Sequence, residues 1–214
     1  MKISEMFKAT QGEGLCIGLP VYFIRTYGCN MQPKCEWCDS KYSWQTGEDI
    51  KPLNLSVDKI INKVLDSGLE DVVITGGEPL LHINDIHDLI TYLPKHTFHL
   101  ETNGSLYNDK VSAFNFIACS PKKQMNDGRE SYKQFASLPQ TFFKFVYENK
   151  NDAWWVPFME KNNIDKSRVW IMPEGSTREE QISKMPEVIE YCLENKFHFS
   201  PRLHILAYDT KRGV

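Results

Sequence analysis

The sequence predicts an α/β protein built on a mostly parallel sheet that stops short of a closed barrel. Three observations carry that expectation. Strand-like and helix-like segments alternate along the chain, the signature of right-handed βαβ units. The chain has 214 residues and room for about six or seven strands, whereas a complete eightfold barrel typically takes ~250 residues. The polar and glycine-rich segments fall at strand ends, the rim where such sheets hold ligands.

Each element follows from local sequence. Val21-Tyr22-Phe23-Ile24-Arg25-Thr26-Tyr27 alternates with period two and reads as a strand ending at Gly28. Ser56 is an N-cap for a helix carrying Val57, Ile60, Ile61, Val64 and Leu65, and Gly68 takes the C′ position that stops it. The strand Asp71–Thr75 runs into Gly76-Gly77-Glu78-Pro79. A helix over Asp85–Leu93 should stop before Pro94. Phe98–Glu101, Phe114–Cys119, Phe142–Val146 and Val169–Met172 read as strands, with a helix at Ala153–Lys161 between the last two. Ser176-x-x-Glu179 is a capping box for a helix whose Ile182, Met185, Ile189 and Cys192 recur at helical spacing. His198–Ala207 reads as extended and leads to Lys211-Arg212-Gly213-Val214. No linker, repeat or low-complexity tract intervenes, so residues 1–214 are expected to form a single domain.

Composition narrows the function classes. Lys and Arg total 25 against 28 Asp and Glu, a net charge of −3. That balance argues against a protein built to grip a nucleic-acid backbone. No apolar run approaches the ~18 residues of a membrane span, and Glu5 stands where a signal peptide would be apolar. A cytoplasmic protein with no direct nucleic-acid or membrane partner is expected. Disulfides are disfavoured in that compartment, so the six cysteines need another use. Cys16, Cys119 and Cys192 are scattered and read as small buried hydrophobes. Cys29, Cys35 and Cys38 crowd one loop near 28–40. Their spacing leaves three uses open: a [4Fe–4S] cluster with one iron open to a ligand, a structural zinc site lacking a local fourth ligand, or unliganded thiols.

With that loop, four rim segments mark one site: Gly76-Gly77-Glu78-Pro79, Glu101-Thr102-Asn103-Gly104, Ser120-Pro121-Lys122 and Met172-Pro173-Glu174-Gly175. Arg25 on an alternating strand suits a structural ion pair, Trp154-Trp155 and Phe142-Phe143 suit a core, and the tail suits solvated disorder. His82, His87, His96, His99 and His198 show no metal-ligand pairing, while His204 lies near enough to the tail to approach a ligand.

Three close cysteines after one strand and Gly-Gly-Glu-Pro after the next resemble the radical S-adenosylmethionine (SAM) superfamily. Further motifs narrow the likeness: Gln11-Gly12-Glu13-Gly14, Phe23-x-Arg25-x-x-Gly28-Cys29, Cys38-Asp39-Ser40, Thr75-Gly76-Gly77-Glu78-Pro79, Glu101-Thr102-Asn103-Gly104, Ser120-Pro121-Lys122 and the tail. Together they resemble the 7-carboxy-7-deazaguanine synthases of queuosine biosynthesis, over nearly the whole chain. One departure is the gap of five residues between Cys29 and Cys35, Pro33 among them, where the superfamily most often has three.

The resemblance implies a modified partial (β/α) barrel of the radical SAM type. It implies a carbon–nitrogen lyase that converts 6-carboxy-5,6,7,8-tetrahydropterin to 7-carboxy-7-deazaguanine with release of ammonia, through a 5′-deoxyadenosyl radical and with Mg²⁺ assisting the ring contraction. Cys29, Cys35 and Cys38 would hold a [4Fe–4S] cluster and Ser40 would ligate Mg²⁺. Gly77, Glu78, Ser120, Pro121, Lys122, Met172, Pro173, Glu174 and Gly175 would contact SAM, with Glu101 and Asn103 as further SAM candidates. Thr10, Gln11, Gly12, Glu13, Arg25, Thr75 and Val214, by its carboxylate, would contact the pterin. The implied partners are a flavodoxin- or ferredoxin-like electron donor and a second copy in a homodimer. Two readings compete: another radical SAM enzyme, such as a glycyl-radical activase, and a non-enzymatic zinc-binding module.

Overall fold

The computed structural model describes residues 1–36, 38–45, 47 and 51–214. The strands are β1 (Lys2–Thr10), β2 (Pro20–Thr26), β3 (Leu53–Asn54), β4 (Asp71–Gly76), β5 (Thr97–Thr102), β6 (Phe116–Cys119), β7 (Thr141–Tyr147), β8 (Val169–Pro173) and β9 (His198–Phe199). They form one sheet in the order β3-β1-β2-β4-β5-β6-β7-β8-β9. From β2 to β9 every pairing is parallel, while β1 runs antiparallel to β2 and β3. The end strands β3 and β9 do not meet, so the sheet curls without closing. The helices are α1 (Val57–Ser67), α2 (Ile83–Tyr92), α3 (Ser131–Ser137), α4 (Trp155–Asn162), α5 (Arg178–Asn195) and α6 (Leu203–Tyr208).

Strand alternation divides the side chains between two faces. Tyr22, Ile24, Val72, Ile74, Phe98, Leu100, Phe143, Phe145, Val169 and Ile171 join Ile60, Val64, Ile86, Leu89, Phe135, Phe158 and Val188 of the helices in one apolar core. Full burial of each such side chain is worth about 1.5–3 kcal/mol. Phe23, Arg25, Thr75, Glu101, Lys144, Val146 and Met172 take the opposite parity and line the concave side. One alternation therefore builds both the core and the site.

Most expected elements are present within two residues of their expected ends. Gly68 ends α1 in the left-handed conformation at φ 69°, with its N–H on Leu65 O, as a C′ glycine should. Ser56 holds the N-cap position of α1, although its hydroxyl makes no capping bond. Cys16, Cys119 and Cys192 are buried, as are Phe142, Phe143 and Trp155.

Several expectations are corrected. The described residues hold nine strands: β1 was hidden because Lys2, Ser4, Glu5 and Lys8 break its apolar rhythm, and β3 and β9 are two-residue edges. The short helix α3 was likewise unforeseen. The capping box of α5 sits one residue later than expected, with Thr177 Oγ1 accepting from Glu180 N at 3.2 Å and Glu180 Oε2 accepting from Thr177 N at 3.0 Å. The inner face of α5 is Gln181, Val188 and Cys192, whereas Ile182 and Ile189 point outward. Gln181 takes the inward place because its amide bridges the carbonyls of Pro173 and Gly175 at 3.1 and 2.9 Å. The segment His198–Ala207 is extended for two residues and then folds into α6, its start tied by Leu203 N to Gly12 O at 2.9 Å.

Candidate active site

The carboxyl ends of the parallel strands open into a cavity of about 490 Å³, a size suited to a small-molecule site. Its wall includes the cysteine loop, the ends of β4 to β8, the Gln11–Glu13 turn and the tail Asp209–Val214. Thr10, Gln11, Gly12, Glu13, Arg25, Thr75 and Val214 line it together with Cys29, Cys35, Cys38 and Ser40. So do Gly77, Glu101, Asn103, Ser120, Lys122, Met172, Pro173, Glu174 and Gly175.

Two expected residues do not line it. Pro121 is buried behind its neighbours Ser120 and Lys122. Glu78 is fully buried, and its carboxylate is engaged inside the fold. Oε1 accepts from Leu80 N at 3.1 Å and Thr102 Oγ1 at 2.8 Å, and Oε2 accepts from Asn103 N at 2.8 Å. Burial raises its pKa despite these donors. Glu78 thus braces one rim segment against another from behind the cavity wall.

The glycine before it has a structural reason. A Cβ on Gly77 would lie 2.1 Å from Gly28 O and 2.8 Å from Cys29 Cβ. The Glu78 N–H also donates to Gly28 O at 2.8 Å. Only glycine lets the end of β4 press this closely on the start of the cysteine loop. From the other side, Asn30 Oδ1 accepts from Asn103 Nδ2 at 3.0 Å, and Asn30 Nδ2 donates to Ser105 Oγ at 2.8 Å.

The loop itself suits an iron–sulfur cluster. Cys29, Cys35 and Cys38 all face the cavity. Trp44 Nε1 donates to Cys38 Sγ at 3.3 Å, and Gln124 Nε2 approaches Cys35 Sγ at 3.5 Å. Such N–H donors are what tune cluster sulfurs. Burial raises the Cys29 and Cys35 thiols, a cost that a bound metal cluster removes by taking them as thiolates. Among the described residues no group of three His, Cys, Asp or Glu is arranged around a single ion. Ser40 Oγ donates to Asp39 Oδ1 at 2.8 Å and accepts from Arg25 NH1 at 3.4 Å, so hard oxygens lie near Arg25.

The floor is ionic. Lys144, with its side chain 3% exposed, donates to Glu13 Oε2 at 2.9 Å and Glu101 Oε2 at 2.7 Å. Arg202 continues the network to Glu13 Oε1 at 3.0 Å, to Gly175 O at 2.7 Å and to Asp39. Gln11 Nε2 meets Glu101 Oε1 at 3.3 Å. The two carboxylates diverge. Burial would raise Glu13, but Lys144 and Arg202 outweigh it and hold its pKa well below the usual range. For Glu101 burial prevails over Lys144 and raises the pKa. Lys144 is raised, because attraction to both carboxylates exceeds its own burial penalty. His204 lines the cavity and is lowered, chiefly by burial.

Sequence reading missed Lys144, Arg202, Tyr42 and Asp39 among the lining residues. A signal existed for Lys144. It is the one charged residue in Thr141–Tyr147, at the parity opposite Phe143 and Phe145. Arg202 had none, since it reaches the site from a segment read as extended.

A family model described as the Radical SAM superfamily matches residues 23–115. The chain is 31% identical over 220 residues to a 7-carboxy-7-deazaguanine synthase of Pyrobaculum aerophilum, spanning 100% of this chain and 97% of the relative. It is 31% identical over 245 residues to a 7-carboxy-7-deazaguanine synthase of Halobacterium salinarum, spanning 98% and 91%. Its fold resembles the crystal structure of QueE from Escherichia coli, with a TM-score of 0.73 and 26% identity over 95% of this chain and 94% of that one.

Proposed function

The chain belongs to the 7-carboxy-7-deazaguanine synthase family of radical SAM lyases, and on that premise we propose that it converts 6-carboxy-5,6,7,8-tetrahydropterin to 7-carboxy-7-deazaguanine with loss of ammonia. Membership carries a [4Fe–4S] cluster and SAM as cofactors. When bound, that pair supplies the radical that opens the reaction. One observation carries the reading: a single cavity gathers the three loop cysteines and the ionic floor within one wall.

The chain's own residues divide the work. Cys29, Cys35 and Cys38 hold the cluster. Gly77, Ser120, Lys122 and Met172–Gly175 form the SAM side, joined by Glu101 and Asn103, with Pro121 and Glu78 shaping it from behind. Arg25 presents a planar guanidinium fork to the pterin carboxylate. Thr10, Gln11, Gly12, Glu13, Thr75 and Val214 complete the pterin side. Glu13, held ionised, serves as a fixed acceptor for pterin N–H groups. Ser40 would supply a hydroxyl oxygen to Mg²⁺, a hard cation that takes oxygen ligands.

Residues 1–214 act as one domain in this reading, in a cytoplasmic homodimer served by a flavodoxin- or ferredoxin-like donor. Among the described residues no helix is long and apolar enough to cross a membrane. Family membership leaves the activase and the zinc module without an observation in their favour. The test is anaerobic turnover of the carboxypterin, with product mass and SAM balance read together. Carboxydeazaguanine formed without net SAM loss is expected. Deoxyadenosine accumulating one for one with SAM, and no deazaguanine, would sink the assignment.

A further inference from the structure

The residue opposite Arg25 has no role in the reading above. β1 and β2 pair antiparallel with Glu5 facing Arg25, and a register shift between Ile3 and Glu5 breaks the ladder there. Bulges of this kind re-aim a side chain, often beside a site. Glu5 Oε1 accepts from Arg25 Nε at 2.8 Å and from Tyr42 Oη at 2.8 Å. Its second oxygen, Oε2, accepts from Arg212 NH2 of the tail at 3.4 Å. The Arg212 guanidinium also stacks on the Tyr42 ring, 3.4 Å from its centroid, while Arg25 lies 5.7 Å from that ring. One carboxylate and one phenol ring therefore join the pterin-facing arginine to the tail.

The tail is otherwise thinly held. Its base is fixed where the Arg178 side chain donates to Leu206 O and Ala207 O at 2.7 and 2.8 Å and its backbone N–H donates to Asp209 Oδ1 at 2.9 Å. Beyond Asp209, which takes a left-handed φ of 55°, the residues are mostly exposed outward while lining the cavity inward. Arg212 makes the tail's side-chain contacts with the sheet, and its own side chain is 59% exposed.

We propose that Glu5 is a positioning residue with two tasks: it aims the Arg25 guanidinium into the cavity, and with Tyr42 it latches the tail through Arg212 as a wall that opens to admit an anionic substrate and closes behind it. The substrate half rests on the function proposed above; the latch half does not. Glu5 sits where it can do both because its Oε1 faces Arg25 and its Oε2 faces the tail. The exposed Glu5–Arg212 pair is the part that salt weakens, because screening acts on solvent-facing charges far more than on enclosed ones. The Glu5–Arg25 pair, with side chains 19% and 16% exposed, persists.

The experiment uses the reconstituted full chain as wild type, Glu5→Gln and Arg212→Met. Hydrogen exchange of residues 209–214 is measured without substrate, and steady-state kinetics on the carboxypterin at low and high salt. Both variants should exchange faster in the tail, with protection elsewhere unchanged. Both should raise KM for the pterin, by about tenfold for Glu5→Gln, since a charge-assisted hydrogen bond is lost along with the latch. SAM affinity should stay within a factor of about two, and KM should depend on salt less in Arg212→Met than in wild type. Tail exchange unchanged in both variants overturns the latch. Faster exchange in Arg212→Met alone overturns the part given to Glu5. A loosened tail with unaltered KM overturns the capture role. If Glu5→Gln fails to fold, Arg212→Met, altered at an exposed position, still decides the latch. Wild type that does not turn over the pterin, while its tail remains latch-protected, sinks the substrate reading and leaves the latch standing.

Discussion

Replacing Lys144 by methionine keeps the length of the side chain and removes its charge, which isolates the ionic floor of the cavity. In the wild type Lys144 Nζ lies 2.9 Å from Glu13 and 2.7 Å from Glu101. After the change, Glu13 keeps Arg202 at 3.0 Å and stays ionised. Glu101 keeps, among the described residues, the Gln11 amide at 3.3 Å. Breaking a buried pair by removing one partner costs about 3–5 kcal/mol. Both carboxylates retain 17% exposure at the cavity, which puts the loss at the lower end, about 3 kcal/mol. For a domain of this size that is a fall in Tm of roughly 6–12 °C. The pH dependence has a definite sign. Glu101 already has a raised pKa, and losing the lysine raises it further. A carboxyl raised in the folded state stabilises fully below its unfolded value, near the ordinary 4.5, and that stability is lost as pH rises through the folded pKa. The penalty should therefore be larger at about pH 8 than at about pH 5.5, because falling pH favours the neutral Glu101 carboxyl. Lys144→Arg keeps the charge and should lose less. Urea denaturation of the three proteins at both pH values is the assay. A Lys144→Met penalty that grows as pH falls, or one equal to that of Lys144→Arg, would refute the reasoning.

Three further outcomes are expected. Gly77→Ala places a Cβ 2.1 Å from Gly28 O, so the cysteine loop must shift; cluster content after reconstitution, read by iron and sulfide analysis, should fall well below wild type, and full content would remove the steric argument. Thr177→Ala deletes the cap of α5 and should cost about 1 kcal/mol in denaturant unfolding, while Ser176→Ala, whose weaker 3.4 Å hydroxyl contact is not the cap, should cost less than half of that. Ser40→Ala should weaken the response of turnover to added Mg²⁺ without altering cluster content, and a magnesium titration superimposable on wild type would take Ser40 out of the site.

The fold was legible wherever a strand or helix carried its own signal. The alternation in 21–27 named β2, and Ser56 with Gly68 bracketed α1. It was illegible where long-range contact decides. β1 pairs with β2 and β3 through a sequence whose polar residues mask its period, and α6 stands where an extended segment was expected, its first N–H donated to Gly12 O. The site divides in the same way. Cysteines and glycines are scarce residue types whose clustering is visible, so the rim segments could be read directly. Charged residues are common, and nothing local distinguishes Arg202 or Glu5 from a solvated side chain. Glu78 shows the converse: its motif was visible, but its three donors come from Leu80, Thr102 and Asn103, which no spacing rule reveals.

The concave face also explains how a charged cavity tolerates being open to a ligand of either sign. A closed barrel packs its interior with branched apolar side chains; here Glu13, Glu101, Lys144, Arg202 and Arg25 take that place. Each has an ionic partner within 3.0 Å, so an anion that reaches one of these cations must substitute for a pairing already made. The pairings differ in how readily they yield. Lys144 is held by two carboxylates and is nearly sealed from water, at 3% exposure. Arg212 meets Glu5 at 3.4 Å with 59% of its side chain in solvent, where an ion pair is worth only about 0–1 kcal/mol. An arriving carboxylate therefore displaces the outer pair first, at little cost, and meets Arg25 behind it, while the Glu13–Lys144–Glu101 floor keeps its geometry. The outer pair re-forms behind the bound carboxylate, so entry moves the wall and spares the floor, and the groups that position the reactants stay fixed.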